Sequence, residues 1–122
     1  MEGFRKLIVY QKSKELVILI YRLTKDWPKE EIYGLISQIR RAAVSVAANI
    51  AEGYTRSGTK EFLRFIDIAL GSLIECEVHL EIASELKFSN PAGLKTCQNL
   101  IIEIKKLLYS FKGGLRDRVK ED

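Results

Sequence analysis

Ala42 to Ala51 is a run of ten residues without a charge, and eight of the ten are Ala, Val or Ile. Ser45 and Asn49 are the exceptions. Its length and alanine content favour a helix. On a helical wheel Gln38, Arg41, Ser45, Asn49 and Glu52 fall on one narrow stripe, while most of the remaining circumference is small and apolar. A surface helix of a small bundle carries a broad polar face. This stretch lacks one, so it is expected to be buried on more than one side.

The rest of the chain supplies helices to pack against it. Apolar residues recur at three- and four-residue steps through Leu7–Leu23, Phe62–Ile82 and Leu94–Phe111. Trp27-Pro28, the Arg56-Ser57-Gly58-Thr59 segment and Ser89-Asn90-Pro91 punctuate them. The reading is one domain of four helices, at about 6–26, 29–54, 59–88 and 91–112, with a charged, fraying tail over 115–122. Pro28 opens the second helix, Thr59 or Ser57 caps the third, and Asn90 with Pro91 starts the fourth. Gly71, in mid-helix, costs about 1 kcal/mol of propensity, which close approach of another helix would offset. Short links between four long helices give an all-α fold, an up-down-up-down antiparallel four-helix bundle.

A chain 47% hydrophobic and 30% charged is globular rather than disordered. Charges interrupt every long apolar run and the first residues lack a signal-peptide pattern, so a soluble cytoplasmic protein is expected. Cys76 and Cys97 sit inside apolar helical patterns and read as reduced core thiols.

Pairing the second and third helices antiparallel brings Arg41 near Ser72 and Glu75, and Asn49 near Arg64. Gln38, Arg41, Ser45, Asn49, Glu52, Ser72 and Glu75 would then form a buried or half-buried polar seam with Arg41 and Glu75 as its ion pair. Such a seam fixes register at a desolvation cost, or forms a ligand site in the bundle. No metal site and no cofactor are expected. His79 is the only histidine, whereas a di-iron bundle needs two Glu-x-x-His pairs. No catalytic residue is expected either, since His79 could serve Ser72 only with a third partner. The glycines match no phosphate-binding loop.

Charge is uneven. Residues 1–26 carry six Lys or Arg against three acids, 90–122 carry seven against four, and 58–89 carry three against six. Arg5, Lys6, Lys12, Lys14, Arg22 and Lys25 on the first helix and Lys105, Lys106 and Lys112 on the fourth can share one surface in an up-down bundle. They are the candidate nucleic-acid-binding residues, with ordinary solvated faces as the alternative.

On Val9-Tyr10-Gln11-Lys12, Tyr33-Gly34-Leu35, Gln38-Ile39-Arg40-Arg41-Ala42-Ala43-Val44-Ser45, Asn49-Ile50-Ala51-Glu52-Gly53, Glu61-Phe62 and Ala69-Leu70-Gly71-Ser72-Leu73-Ile74-Glu75, the chain resembles the four-helix bundle proteins of bacterial 23S rRNA intervening sequences. The accessory variability protein of diversity-generating retroelements belongs to the same fold group. The resemblance implies a ring-like homo-oligomer, a pentamer, without known enzymatic activity and with suspected nucleic-acid binding. For the retroelement branch it implies a reverse transcriptase and RNA as partners; the branch stays open. Val44, Ala47, Ala48 and Ala51, a second apolar stripe on the second helix, are the candidate oligomer interface, the alternative being contact with helices one or three of the same protomer. The expected function is therefore a non-enzymatic, self-assembling bundle that binds RNA or DNA. The alternative is a scaffold for a protein partner with no nucleic-acid binding.

Overall fold

Local chemistry sets the helix limits. Gly34 stands outside the helical region, at φ −116° and ψ −114°, and Glu31 turns its carboxylate back to accept the Leu35 N–H at 3.1 Å. The second long helix therefore starts at Leu35. Pro28 is followed only by a short 3-10 turn, Lys29–Glu31, and not by the helix start the sequence suggested. In the link before the fourth long helix, Asn90 Oδ1 accepts the Gly93 N–H at 2.6 Å and Pro91 supplies the first helical residue.

The computed structural model describes residues 2–121, the side chain of Glu121 excepted. Among these residues it contains four α-helices and no strand: α1 Ile8–Thr24, α2 Leu35–Thr55, α3 Thr59–Glu85 and α4 Pro91–Glu121. A further 3-10 turn, Gly3–Lys6, precedes α1. Neither Thr59 nor Ser57 caps α3; its N-cap is Gly58, at φ 110°. The expected tail is helical through Glu121, and Asp122 lies outside the described residues. Gly113 and Gly114 do not end α4 because Leu115 beyond them is buried, at 3% exposure, and Phe111 packs on Phe62 with ring centroids 5.2 Å apart. α3 ends where Lys87 takes a left-handed φ of 59°. The Phe88 N–H then reaches the Ala83 carbonyl at 3.0 Å and the Lys87 N–H the Ser84 carbonyl at 3.1 Å, the paired bonds of a Schellman stop.

Each helix packs against its chain neighbours, and α1 also packs against α4. Leu16 and Ile20 of α1, Ile39, Val46 and Ile50 of α2, Ile66, Leu73 and Leu80 of α3, and Ile101, Ile104 and Leu108 of α4 fill the centre, each fully buried. The two hydroxyls caught inside are satisfied locally. Ser13 donates to the Val9 carbonyl at 2.7 Å and Thr24 to the Ile20 carbonyl at 2.8 Å. Buried Trp27 donates its indole N–H to Ser89, tying the α1–α2 link to the α3–α4 link.

One close approach is written into the sequence. A Cβ on Gly53 would stand 2.8 Å from Phe65 Cβ and 2.9 Å from Phe62 Cδ1. The glycine lets α3 come in. Gly71 is the opposite case. It is exposed and nothing stands within 4 Å of its would-be Cβ, so no helix of this chain compensates for it.

Candidate interaction surfaces

The polar stripe of α2 and its counterpart on α3 do face each other, but at the surface. Ser72 and Ser45 share a hydrogen bond of 2.9 Å, and Asn49 donates to the Ser45 hydroxyl and carbonyl at 2.9 and 2.8 Å. This register is shifted one helical turn from the one inferred from the loop, which set Arg41 opposite Ser72. Gln38, Arg41, Ser45, Ser72 and Glu75 line a shallow depression, of which Gln38, Arg41 and Glu75 are exposed and the two serines half-buried. Glu52 is exposed as well. A buried Arg41–Glu75 pair is thus absent from the single chain: no ion pair joins them among the described residues, and Glu75 approaches His79 instead, Oε2 to Nε2 at 3.5 Å. Among the described residues no hydrogen bond joins Arg64 to Asn49. Arg64 pairs with Glu61 at 3.1 Å, and its guanidinium holds the Glu61 carboxyl below the usual range. His79 is buried, with neither ring nitrogen hydrogen-bonded.

The basic residues divide into two groups. Lys12 pairs with Glu103 at 3.3 Å across α1 and α4, Lys105 with Glu77 at 2.8 Å and Lys112 with Asp67 at 2.7 Å across α3 and α4. These three lysines stitch the bundle and are already neutralised. Arg5, Lys6, Lys14, Arg22, Lys25 and Lys106 are exposed. Sequence reasoning passed over Lys29 and Arg40, which lie with Lys25 and Arg41 along the α1–α2 seam. The signal lies in the Arg40-Arg41 pair, of which only Arg41 falls on the polar stripe of the helical wheel.

Of the four interface candidates, Ala47 is buried within the chain, Ala51 is half-buried, and Val44 and Ala48 are exposed. α3 adds an outward apolar stripe: Ile74, Val78 and Ile82, at successive four-residue steps, are 43%, 44% and 42% exposed. Ile68 and Leu86 extend it. Helical spacing places Gly71 on the same outward face.

Cys76 and Cys97 are free and buried. Burial pushes the Cys76 thiol up to about 12 and that of Cys97 to about 11. Among the described residues no group of three or more His, Cys, Asp or Glu side chains could hold a metal ion. No helix among them is long and apolar enough to cross a membrane.

Fold and surfaces together define an all-α, four-helix protein with a mixed polar and apolar exterior. The chain belongs to the 23S rRNA-intervening sequence protein family, whose profile matches residues 5–110. It is also similar to a crystal structure of a protein of unknown function from the S23 ribosomal protein family of Bacteroides thetaiotaomicron. Identity is 28% and the TM-score 0.80, over 86% of this chain and 98% of that one. A comparison with curated proteins finds no match.

Proposed function

We propose that this chain is a non-enzymatic, self-assembling protomer of the bacterial cytoplasm that binds RNA or DNA. Its helices form an up-down-up-down antiparallel bundle. Cross-helix partners support that arrangement, with Lys12 against Glu103, Ser45 against Ser72 and Lys105 against Glu77. The observation that carries self-assembly is the outward stripe Ile74, Val78 and Ile82 of α3. Contiguous apolar surface of this kind marks an interaction site. A symmetric ring, a pentamer on the family resemblance, covers it with further copies of the chain. Unpaired surface cations supply the attraction for a phosphate backbone.

Light scattering of the purified chain tests assembly, and nucleic-acid affinity across a salt series tests binding. A homo-oligomer whose affinity falls steeply with salt is the expected result. A monomer that binds no nucleic acid at low salt overturns the proposal and leaves the scaffold reading, in which the α3 stripe receives a different protein, such as a reverse transcriptase.

A further inference from the structure

Among the described residues the four cations of the α1–α2 seam have no carboxylate partner, in contrast to Lys105 and Lys112 of α4. They line an open groove of about 840 Å³, and none of the described residues that line it is acidic. Lys25, Lys29, Arg40 and Arg41 supply the charge, and Ile32, Ile36 and Val44 an apolar wall. Arg40 is held in place rather than free. Its Nε donates to Thr24 Oγ1 at 2.9 Å, and its guanidinium stacks on the Tyr21 ring 4.5 Å from the centroid. Thr24 is in turn fixed on the Ile20 carbonyl. Asp26 and Glu30 adjoin Lys25 and Lys29 in sequence but neither lines the groove, and Glu31 turns Oε1 to the Leu35 N–H. Tyr33, next to Ile32 on the same link, is 97% exposed and has no packing role.

Clustered cations repel one another, and an arginine immobilised without an anion in contact is prepared for one from outside. The Tyr21 ring and the Arg40 guanidinium over it offer a surface for a planar base, since bases stack on aromatic rings and on guanidinium planes alike. A cationic groove beside aromatic platforms is the arrangement that holds an unpaired strand; a duplex keeps its bases stacked inside and presents only phosphates. We infer that the α1–α2 groove, with Lys25, Lys29, Arg40, Arg41 and Tyr21, is a docking site for single-stranded nucleic acid. This inference rests on the nucleic-acid reading above and assigns it to a site away from the α1–α4 face.

The test uses the full chain and a fluorescein-labelled oligouridylate of about twelve nucleotides, within the length that a single-strand groove occupies. Its affinity is compared with that for a duplex of equal length. One variant carries Lys25→Gln, Lys29→Gln and Arg41→Gln, leaving the structural Arg40 untouched. A control removes the same charge elsewhere, with Lys14→Gln, Lys106→Gln and Arg118→Gln. The groove variant is expected to lose about tenfold in single-strand affinity at low salt, and its log K against log salt slope to flatten by about 2. The control should change by less than half as much on both scales. Tyr33→Ala, which cannot disturb a core it does not touch, should weaken single-strand binding about fivefold if it stacks a base. Equal losses in groove variant and control would place binding on diffuse charge and overturn the groove while leaving the proposed function standing. Duplex bound as tightly as the single strand, or equal displacement by polyglutamate, would overturn single-strand recognition. Dissociation of the assembly in the groove variant would make the groove a contact between copies and overturn the inference. Absence of binding by the wild-type chain to either probe would remove both readings.

Discussion

Gly53 and Gly71 are chemically the same residue in two long helices, and the same substitution should move stability in opposite directions. At Gly53 an added methyl meets Phe65 Cβ at 2.8 Å and Phe62 Cδ1 at 2.9 Å, where ordinary contact begins at 3.4 Å. The Phe62 ring can turn away. Phe65 Cβ cannot, because it moves only with the α3 backbone. Gly53→Ala therefore has to push α2 and α3 apart at a buried crossing, and overpacking of this kind costs about 1–3 kcal/mol. Replacing a helical glycine by alanine returns about 1 kcal/mol. The net expectation is a loss of up to about 2 kcal/mol. Gly71→Ala meets nothing within 4 Å and should keep the propensity gain, about 0.5–1 kcal/mol. Urea unfolding followed by circular dichroism reads both, at one protomer concentration because the assembly proposed above would add stability by mass action. A Gly53→Ala variant as stable as the wild type, or two variants shifted equally in one direction, would refute the close-approach argument.

Arg41→Ala should change stability by less than about 0.5 kcal/mol, since the arginine is exposed and joined to no carboxylate; a loss above about 2 kcal/mol in a urea titration would show a buried pair after all. Lys87→Gly should stabilise by about 0.5–1 kcal/mol, because Lys87 holds a left-handed φ of 59° that only glycine adopts without strain, and an unchanged urea midpoint would deny that strain. The thiols give a pH dependence. Burial raises the folded values of Cys76 and Cys97 to about 12 and about 11, so above the usual thiol value the unfolded chain loses protons that the folded chain keeps. Their contribution is whole below about pH 9 and is lost as pH rises from there toward 11–12. Between about pH 8 and 10 the fall of the urea midpoint should be shallower in Cys76→Ala than in the wild type, and equal slopes would be the contrary result.

Periodicity made the helices legible, because a 3.6-residue apolar repeat is a property of one segment alone. Asn90-Pro91 marked the start of α4 for the same local reason. What periodicity cannot convey is axial register between helices. Lys105 and Glu77 are 28 positions apart, and their pairing depends on where α3 and α4 stop sliding past each other. The wheel therefore placed Lys12, Lys105 and Lys112 on a basic surface without showing the carboxylate opposite each. It also set the Arg41 stripe at the right azimuth and one turn off along the axis. Burial failed for a related reason. A narrow polar stripe says that a helix has few solvated positions, not that those few are inside, and Arg41 and Glu75 occupy the outer edge of the α2–α3 seam.

The uncharged stretch of α2 needs less from a neighbouring copy than its composition suggests. Ala42, Ala43, Val46, Ala47 and Ile50 are all buried within the chain, and only Val44 and Ala48 are exposed. Small residues serve here mainly to bring α1 and α3 close. Two exposed side chains, one of them a methyl group, offer little apolar area to an assembly. The stripe on α3 offers more, since Ile74, Val78 and Ile82 each keep over two-fifths of their surface in water. Full burial of one such side chain is worth about 1.5–3 kcal/mol, so covering the exposed part of the three contributes roughly 2–4 kcal/mol per protomer face. Assembly should therefore depend more on α3 than on α2. Val78→Glu places a charge in the middle of that stripe and should dissociate the oligomer with helicity retained. Ala48→Glu should weaken it less. Light scattering at matched concentrations decides between them: dissociation by Ala48→Glu with Val78→Glu still assembled would return the interface to α2.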